Sequence, residues 1–119
     1  MTTKISGYAA DALIAGNTFK SGNTEVRNTS DSVAYDTFTM YLHGSPIARM
    51  TRNTLTQDRT LTIDLCGYDT VTTKSRLNAL PQVSVCTKRG QSYLNGKKWN
   101  GDTVLVIKDS VPTFPYRKV

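Results

Sequence analysis

The sequence predicts an α+β fold: a curved antiparallel sheet of about six or seven strands, with one helix inserted between the fourth and fifth strands. Three observations predict it. Apolar residues alternate with threonine in short runs, turn sequences separate these runs, and residues 72–80 have a helical pattern that ends at a proline. A partly open barrel of the OB-like or SH3-like kind is the alternative, because a helix that follows several strands also suits such a barrel.

The strand predictions depend on threonine, of which the chain has 18. Threonine is β-branched and favours strands. In the runs 37–42 and 60–65 every second residue is apolar, and the residues between are Thr, Tyr or Asp. This period of two is typical of antiparallel strands that turn one face to the core and the other to water.

Turn sequences place the ends of the predicted strands. The turns lie at residues 44–46, 88–90, 95–96 and 100–101. The strands that they bound lie at 35–43, 47–52, 83–87, 91–94 and 103–108. Asn95-Gly96 is the clearest signal, because a type I′ turn needs positive φ at both central residues and Asn-Gly adopts it readily. The later turns predict a short meander that ends in the strand 103–108.

One helix is predicted at residues 72–80. Thr72 and Thr73 are its N-cap candidates, good helix formers follow, and Pro81 terminates it. Two leucines three positions apart give the helix an apolar side. We therefore expect this helix to pack on the sheet through its leucines.

The length of 119 residues fits one domain spanning 1–119. Residues 1–22 are expected to form a loosely structured arm with a short helical turn at 11–15, and 112–119 a flexible tail. The chain start does not resemble a signal peptide, and no stretch approaches the roughly 20 apolar residues that cross a bilayer. Its two cysteines could form at most one disulfide, so we expect a cytoplasmic protein without membrane contact.

No residue pattern indicates catalysis. His43 is the only histidine and lies beside a turn glycine, while Cys66 and Cys86 lack the CxxC spacing of zinc and redox sites. The sequence has no Walker loop and no GxGxxG motif. We therefore expect no enzyme activity, no catalytic residues, no metal and no cofactor.

Basic residues are the most informative candidates for function. The formal net charge is +6, and the basic residues fall in clusters with Tyr93 and Trp99 flanking the Asn95-Gly96 turn. Aromatic rings beside cations are the combination that single-stranded nucleic acid uses for stacking and phosphate neutralisation. The predicted nucleic-acid-binding residues are Arg49, Arg52, Lys74, Arg76, Lys88, Arg89, Tyr93, Lys97, Lys98 and Trp99. The alternative is that the two aromatic residues form a cross-strand core pair, with lysines that only solubilise the hairpin tips.

A second candidate site is the start of the predicted helix. Thr72 and Thr73 could bind a phosphate there through hydroxyls and free amides, helped by Lys74 and Arg76. An ordinary N-cap explains the two threonines as well.

Three segments carry a family resemblance. They are Tyr41-Leu42-His43-Gly44-Ser45-Pro46-Ile47-Ala48, the segment 67–80 (GYDTVTTKSRLNAL), and Tyr93-Leu94-Asn95-Gly96-Lys97-Lys98-Trp99. In this order they resemble a group of small uncharacterised accessory proteins of tailed bacteriophages. The resemblance implies a phage gene product that acts in the cytoplasm of the bacterial host.

Together, charge and resemblance predict a non-enzymatic phage accessory protein. Its expected partner is nucleic acid or a host nucleoprotein complex, bound through the basic and aromatic surface. One alternative is an inhibitor or small-ligand sponge that acts against a host defence protein. Another is a minor structural or assembly component, in which strand edges pair between copies.

Overall fold

The computed structural model describes residues 4–67 and 70–110, which form two helices and nine strands. The elements in chain order are α1 (Lys4–Ala15), β1 (Phe19–Ser21), β2 (Thr24–Asn28), β3 (Tyr35–Leu42), β4 (Ser45–Asn53), β5 (Asp58–Ile63), α2 (Val71–Asn78), β6 (Val85–Lys88), β7 (Gln91–Leu94), β8 (Lys97–Lys98) and β9 (Val104–Ser110). The predicted tail at 112–119 lies outside the described residues. No helix within them is long and apolar enough to cross a membrane.

The strands form two antiparallel sheets, which confirms the α+β class. The larger sheet has six strands in the order β1-β2-β3-β4-β5-β9, and the smaller has three in the order β6-β7-β8. The larger sheet has β1 at one edge and β9 at the other, and these two strands do not pair. The described strands therefore do not close into a barrel. The prediction of one sheet with six or seven strands was therefore too simple.

The position of the helix also differs from the prediction. The helix at Val71–Asn78 follows the fifth strand and precedes the sixth, rather than lying between the fourth and fifth. The reason is that a short hairpin of β1 and β2 around Gly22 adds strands before Tyr35, in a stretch where the sequence analysis predicts no strand. The helix also starts earlier than predicted, because its N-cap is Thr70 rather than Thr72 or Thr73.

The N-terminal segment is a packed helix rather than a loose arm with one helical turn. The 12 residues of α1 bury Ala9, Ala10, Leu13 and Ile14. The small alanines let the helix approach β2, β3, β4 and α2 closely, so that leucine and isoleucine reach the core. Gly16 ends the helix with a φ of 78°, a backbone conformation that glycine adopts readily at the end of a helix.

The core lies between the two helices and one face of the six-stranded sheet. The alternation of burial seen in the sequence holds in β5, where Leu61 and Ile63 are buried, whereas in β3 Thr39 is buried as well as Phe38 and Met40. The threonines between them point to the opposite face. That face also carries Arg49 and is not covered by either helix.

Two-residue turns close three of the hairpins. Each has positive φ at both central residues: 52° and 82° at His43-Gly44, 52° and 80° at Arg89-Gly90, and 51° and 85° at Asn95-Gly96. This backbone matches the twist of the flanking strands. The first turn therefore comes one residue earlier than predicted, and β4 begins at Ser45.

The predicted meander after Asn100-Gly101 is wrong. Strand β9 leaves the small sheet and pairs with β5 of the large one, where Leu61 lies opposite Ile107. Gly101 directs this crossing, since its carbonyl accepts a hydrogen bond of 2.9 Å from the Leu65 amide. A Cβ at Gly101 would lie 3.0 Å from a methyl carbon of Leu65, so only glycine fits this approach without a shift.

Candidate nucleic-acid interface

The small sheet presents a cationic groove to solvent. Cross-strand pairs place Lys88 opposite Gln91 and Tyr93 opposite Lys98. Because side chains alternate along strands, these four residues share one face. Together with Arg89 at the turn they line an open groove of about 420 Å³. We call these five residues, Lys88, Arg89, Gln91, Tyr93 and Lys98, the basic face.

The basic face has a positive charge that nearby residues do not neutralise. Lys88, Arg89, Lys97 and Lys98 are all exposed. Residues 81–101 contain no Asp or Glu, and none of the four cations has a salt bridge within the described chain. Lys97 alternates with Lys98 along β8 and so lies toward the other side of the sheet, where it widens the positive region.

Asn78 of α2 holds the outer strand of the small sheet. Its side-chain Nδ2 donates to the Val85 carbonyl at 3.0 Å, and the Val85 amide donates to its Oδ1 at 2.6 Å. The two bonds satisfy the backbone of β6 on the side away from β7, as a neighbouring strand would. The basic face is therefore built on a sheet that is anchored to the body of the protein.

Asn95 holds the preceding loop against the hairpin turn. Its side chain donates to the Gln82 carbonyl at 2.9 Å and accepts from the Ser84 amide at 2.8 Å. Its own amide donates to the Ser84 carbonyl at 2.7 Å. Asn95 therefore has two roles, since it also supplies the positive φ of the turn.

Trp99 is a core residue rather than part of the basic face. It is only 8% exposed, and its indole Nε1 donates to the Asp102 carbonyl at 2.9 Å. Its amide donates to the Ser92 carbonyl at 3.0 Å and extends the pairing of β7 and β8 by one residue. Trp99 thus anchors the hairpin, and it presents no free ring for stacking. The core-pair alternative is right that Trp99 is buried, but Trp99 lies opposite Ser92 rather than Tyr93, and Tyr93 lines the groove.

Arg76, predicted as a nucleic-acid contact, is also buried. It is 6% exposed, with Nε donating to Thr24 Oγ1 and Nη1 to Ser6 Oγ, each at 2.8 Å. Burial lowers the pKa of its guanidinium from the ordinary value. Arg76 therefore joins α2 to β2 and α1, and we leave it out of the interface.

Three other predicted cations do not line the groove of the basic face. Arg49 is exposed on the open face of the six-stranded sheet. Arg52 lies on the core-facing side of β4 and forms an ion pair with Asp36. Lys74 is half-buried, and its Nζ donates to Thr87 Oγ1 at 2.6 Å. The structure thus assembles only part of the predicted surface.

The start of α2, where the sequence predicts a phosphate site, is capped by a residue outside the predicted pair of threonines. Thr70 caps the helix, with its Oγ1 accepting from the Thr73 amide at 3.1 Å, and its hydroxyl lies 3.0 Å from that of Thr73. Thr73 is buried. Thr70, Thr72 and Thr73 together line a cavity of about 330 Å³ with His43 and other residues of the β3–β4 hairpin. The N-cap prediction for Thr72 and Thr73 is therefore wrong, whereas phosphate binding by these two threonines stays a prediction.

Gln91 is a groove residue that the sequence analysis missed. Its Nε2 donates to the Ser92 carbonyl at 2.9 Å and to the Trp99 carbonyl at 3.3 Å. The sequence could have indicated it: in a hairpin with a two-residue turn at Arg89-Gly90, the residues on either side of the turn, Lys88 and Gln91, lie opposite each other. Within residues 4–67 and 70–110, no three His, Cys, Asp or Glu side chains group as metal ligands do.

Fold and site define a small α+β protein of two antiparallel sheets, the smaller of which carries a cationic groove. The model of one known protein family, the Kyanoviridae Gp96 protein family, matches residues 2–109, and the chain belongs to this family. This match confirms that it is a bacteriophage protein, while the three motif segments behind the resemblance stay a prediction. No curated protein and no solved structure matches the chain.

Proposed function

We propose that this phage protein binds nucleic acid through the basic face and acts as a non-enzymatic accessory protein in the infected bacterial cell. The observation that carries the proposal is the charge of the small sheet. Four exposed cations stand on an anchored sheet in a stretch, residues 81–101, that has no acidic residue. Nucleic-acid phosphates are the polyanion that such a surface fits best.

The geometry of the groove supports this proposal over a diffuse attraction. Lys88 and Arg89 lie at one hairpin tip, and Lys98 lies two strands away beside Tyr93. Neighbouring strands are about 4.8 Å apart, so the charges border a groove only a few side chains wide. A phosphate backbone laid along it would contact cations at both ends.

Charge reversal tests the proposal. The double variant Lys88→Glu/Lys98→Glu is expected to bind a labelled oligothymidine of about 12 nucleotides roughly tenfold more weakly than the parent protein. The loss follows because two phosphate contacts become repulsions. Fluorescence polarisation at about 50 and 200 mM salt measures it, and the parent affinity should fall steeply between these two salt concentrations.

The matched control is Lys4→Glu/Lys20→Glu, which makes the same change in net charge at two exposed lysines away from the small sheet. We expect it to stay within about threefold of the parent protein. An equal loss in both double variants would show that net charge alone drives binding. Absence of binding by the parent protein at either salt concentration would rule out the proposal and favour a protein partner or a small ligand.

A further inference from the structure

We propose that the basic face selects single-stranded nucleic acid, with one unpaired base stacked on the ring of Tyr93. This inference rests on the proposed function and adds the class of nucleic acid to it. It depends on where the only aromatic side chain of the groove stands and on what surrounds it.

Tyr93 occupies the middle of the small sheet. It lies on the central strand β7, opposite Cys86 of β6 on one side and Lys98 of β8 on the other. Cys86 has a small side chain, and Lys98 is exposed. Tyr93 itself is half-buried and lines the groove, so part of its side chain is reachable from solvent.

The cations around this ring are placed for the phosphates that flank a stacked base. Lys98 is the cross-strand neighbour of Tyr93, and the Lys88–Gln91 pair comes next along the same face. Residues two apart on a strand are about 7 Å from each other. Positive charge therefore lies beside the ring in two directions, as in surfaces that combine stacking with backbone neutralisation.

A duplex cannot use the ring in this way. Its bases are stacked on each other, so an outside aromatic side chain reaches a base face only where the stack is opened. The groove volume of about 420 Å³ lies within the roughly 300–1,000 Å³ of pockets that hold small molecules, and an unpaired base is such a group.

The same geometry predicts little sequence preference. Gln91 is the amide best placed to read a base edge, but its Nε2 already donates to two backbone carbonyls. Stacking accepts every base because each has a π-face. We therefore expect oligonucleotides of different sequence to bind with affinities within about tenfold of each other.

Substitution of Tyr93 separates stacking from charge. Tyr93→Leu is expected to weaken binding of the oligothymidine about tenfold, in line with the usual contribution of one stacked base, and to leave duplex binding unchanged. Tyr93→Phe keeps the ring and should stay within about threefold of the parent protein. Circular dichroism and urea unfolding of each variant establish that the sheet is intact.

An abasic oligonucleotide of the same length provides a second test that does not depend on how the variants fold. It has the phosphates but no base to stack, so the parent protein should bind it about tenfold more weakly than oligothymidine. Equal affinity for the two probes, or an equal loss of single-strand and duplex binding in Tyr93→Leu, overturns the inference. The proposed function would survive either result if the Lys88→Glu/Lys98→Glu variant lost affinity and the Lys4→Glu/Lys20→Glu control did not, and it would fail if both double variants bound equally well.

Discussion

Replacing Leu13 by alanine is expected to lower the free energy of unfolding by about 3 kcal/mol. Leu13 lies on α1 and is 0% exposed, within the core between that helix and the six-stranded sheet. Its truncation removes buried apolar area and leaves a cavity that the packed neighbours can fill only in part. Urea unfolding followed by circular dichroism measures the change, provided that the slope of the transition is unchanged.

Leu55→Ala is the matched control, since it makes the same chemical change at a leucine that is 90% exposed in the turn after β4. We expect its effect on stability to stay within about 0.5 kcal/mol. If Leu13→Ala were as mild as this control, α1 would not be packed on the sheet. The loose N-terminal arm predicted from the sequence would then be the better description.

The second large effect concerns Arg76. Arg76→Ala is expected to cost about 3 kcal/mol of stability, because the hydroxyls of Ser6 and Thr24 are buried and each loses a charged donor at 2.8 Å. The measurement is again urea unfolding. Lys97→Ala, which removes an exposed cation, is the control and should change stability by about 0.5 kcal/mol or less.

The same Arg76 variant separates a structural role from a binding role. Under conditions in which it is fully folded, Arg76→Ala should bind oligothymidine with the affinity of the parent protein, because the guanidinium does not reach the groove. Unchanged stability combined with weaker binding would contradict the structural assignment. Arg76 would then return to the interface, where the sequence analysis had placed it.

Strands β3 and β5 of the large sheet could be predicted because their signal is local. Phe38, Met40, Leu61 and Ile63 alternate with polar residues, and a period of two has only one common structural explanation. The Asn95-Gly96 turn is local in the same sense, since two residues fix its backbone. Strand alternation and a two-residue turn can therefore be predicted without knowing which other segments of the chain pack against them.

The first helix could not be predicted in full because its burial depends on small residues. Ala9, Ala10 and Ala12 give no strong apolar stripe, and Gly7 weakens helix propensity. The helix is stabilised instead by contact with strands that come later in the chain. The pairing of β9 with β5 was missed for a related reason, because it joins segments more than 40 residues apart across α2 and the small sheet.

The candidate site could be predicted only in part, because the burial of a side chain depends on segments that are distant in the sequence. Residue type showed where cations and aromatic rings occur, but it could not show which of them are buried. Arg76 finds its partners 52 and 70 residues away, and Trp99 is covered by the fold around it. Lys88, Arg89 and Lys98 remained exposed because they occupy a hairpin tip and a short outer strand.

The most direct test of a nucleic-acid-binding basic face is a residue-resolved titration. Amide resonances of the ¹⁵N-labelled protein would be followed in heteronuclear NMR spectra while unlabelled oligothymidine is added. We expect the largest shifts on Lys88, Arg89, Gln91, Tyr93 and Lys98, with much smaller shifts on the exposed face of the six-stranded sheet around Arg49. Saturating shifts centred on Arg49, or no shifts at all, would contradict it.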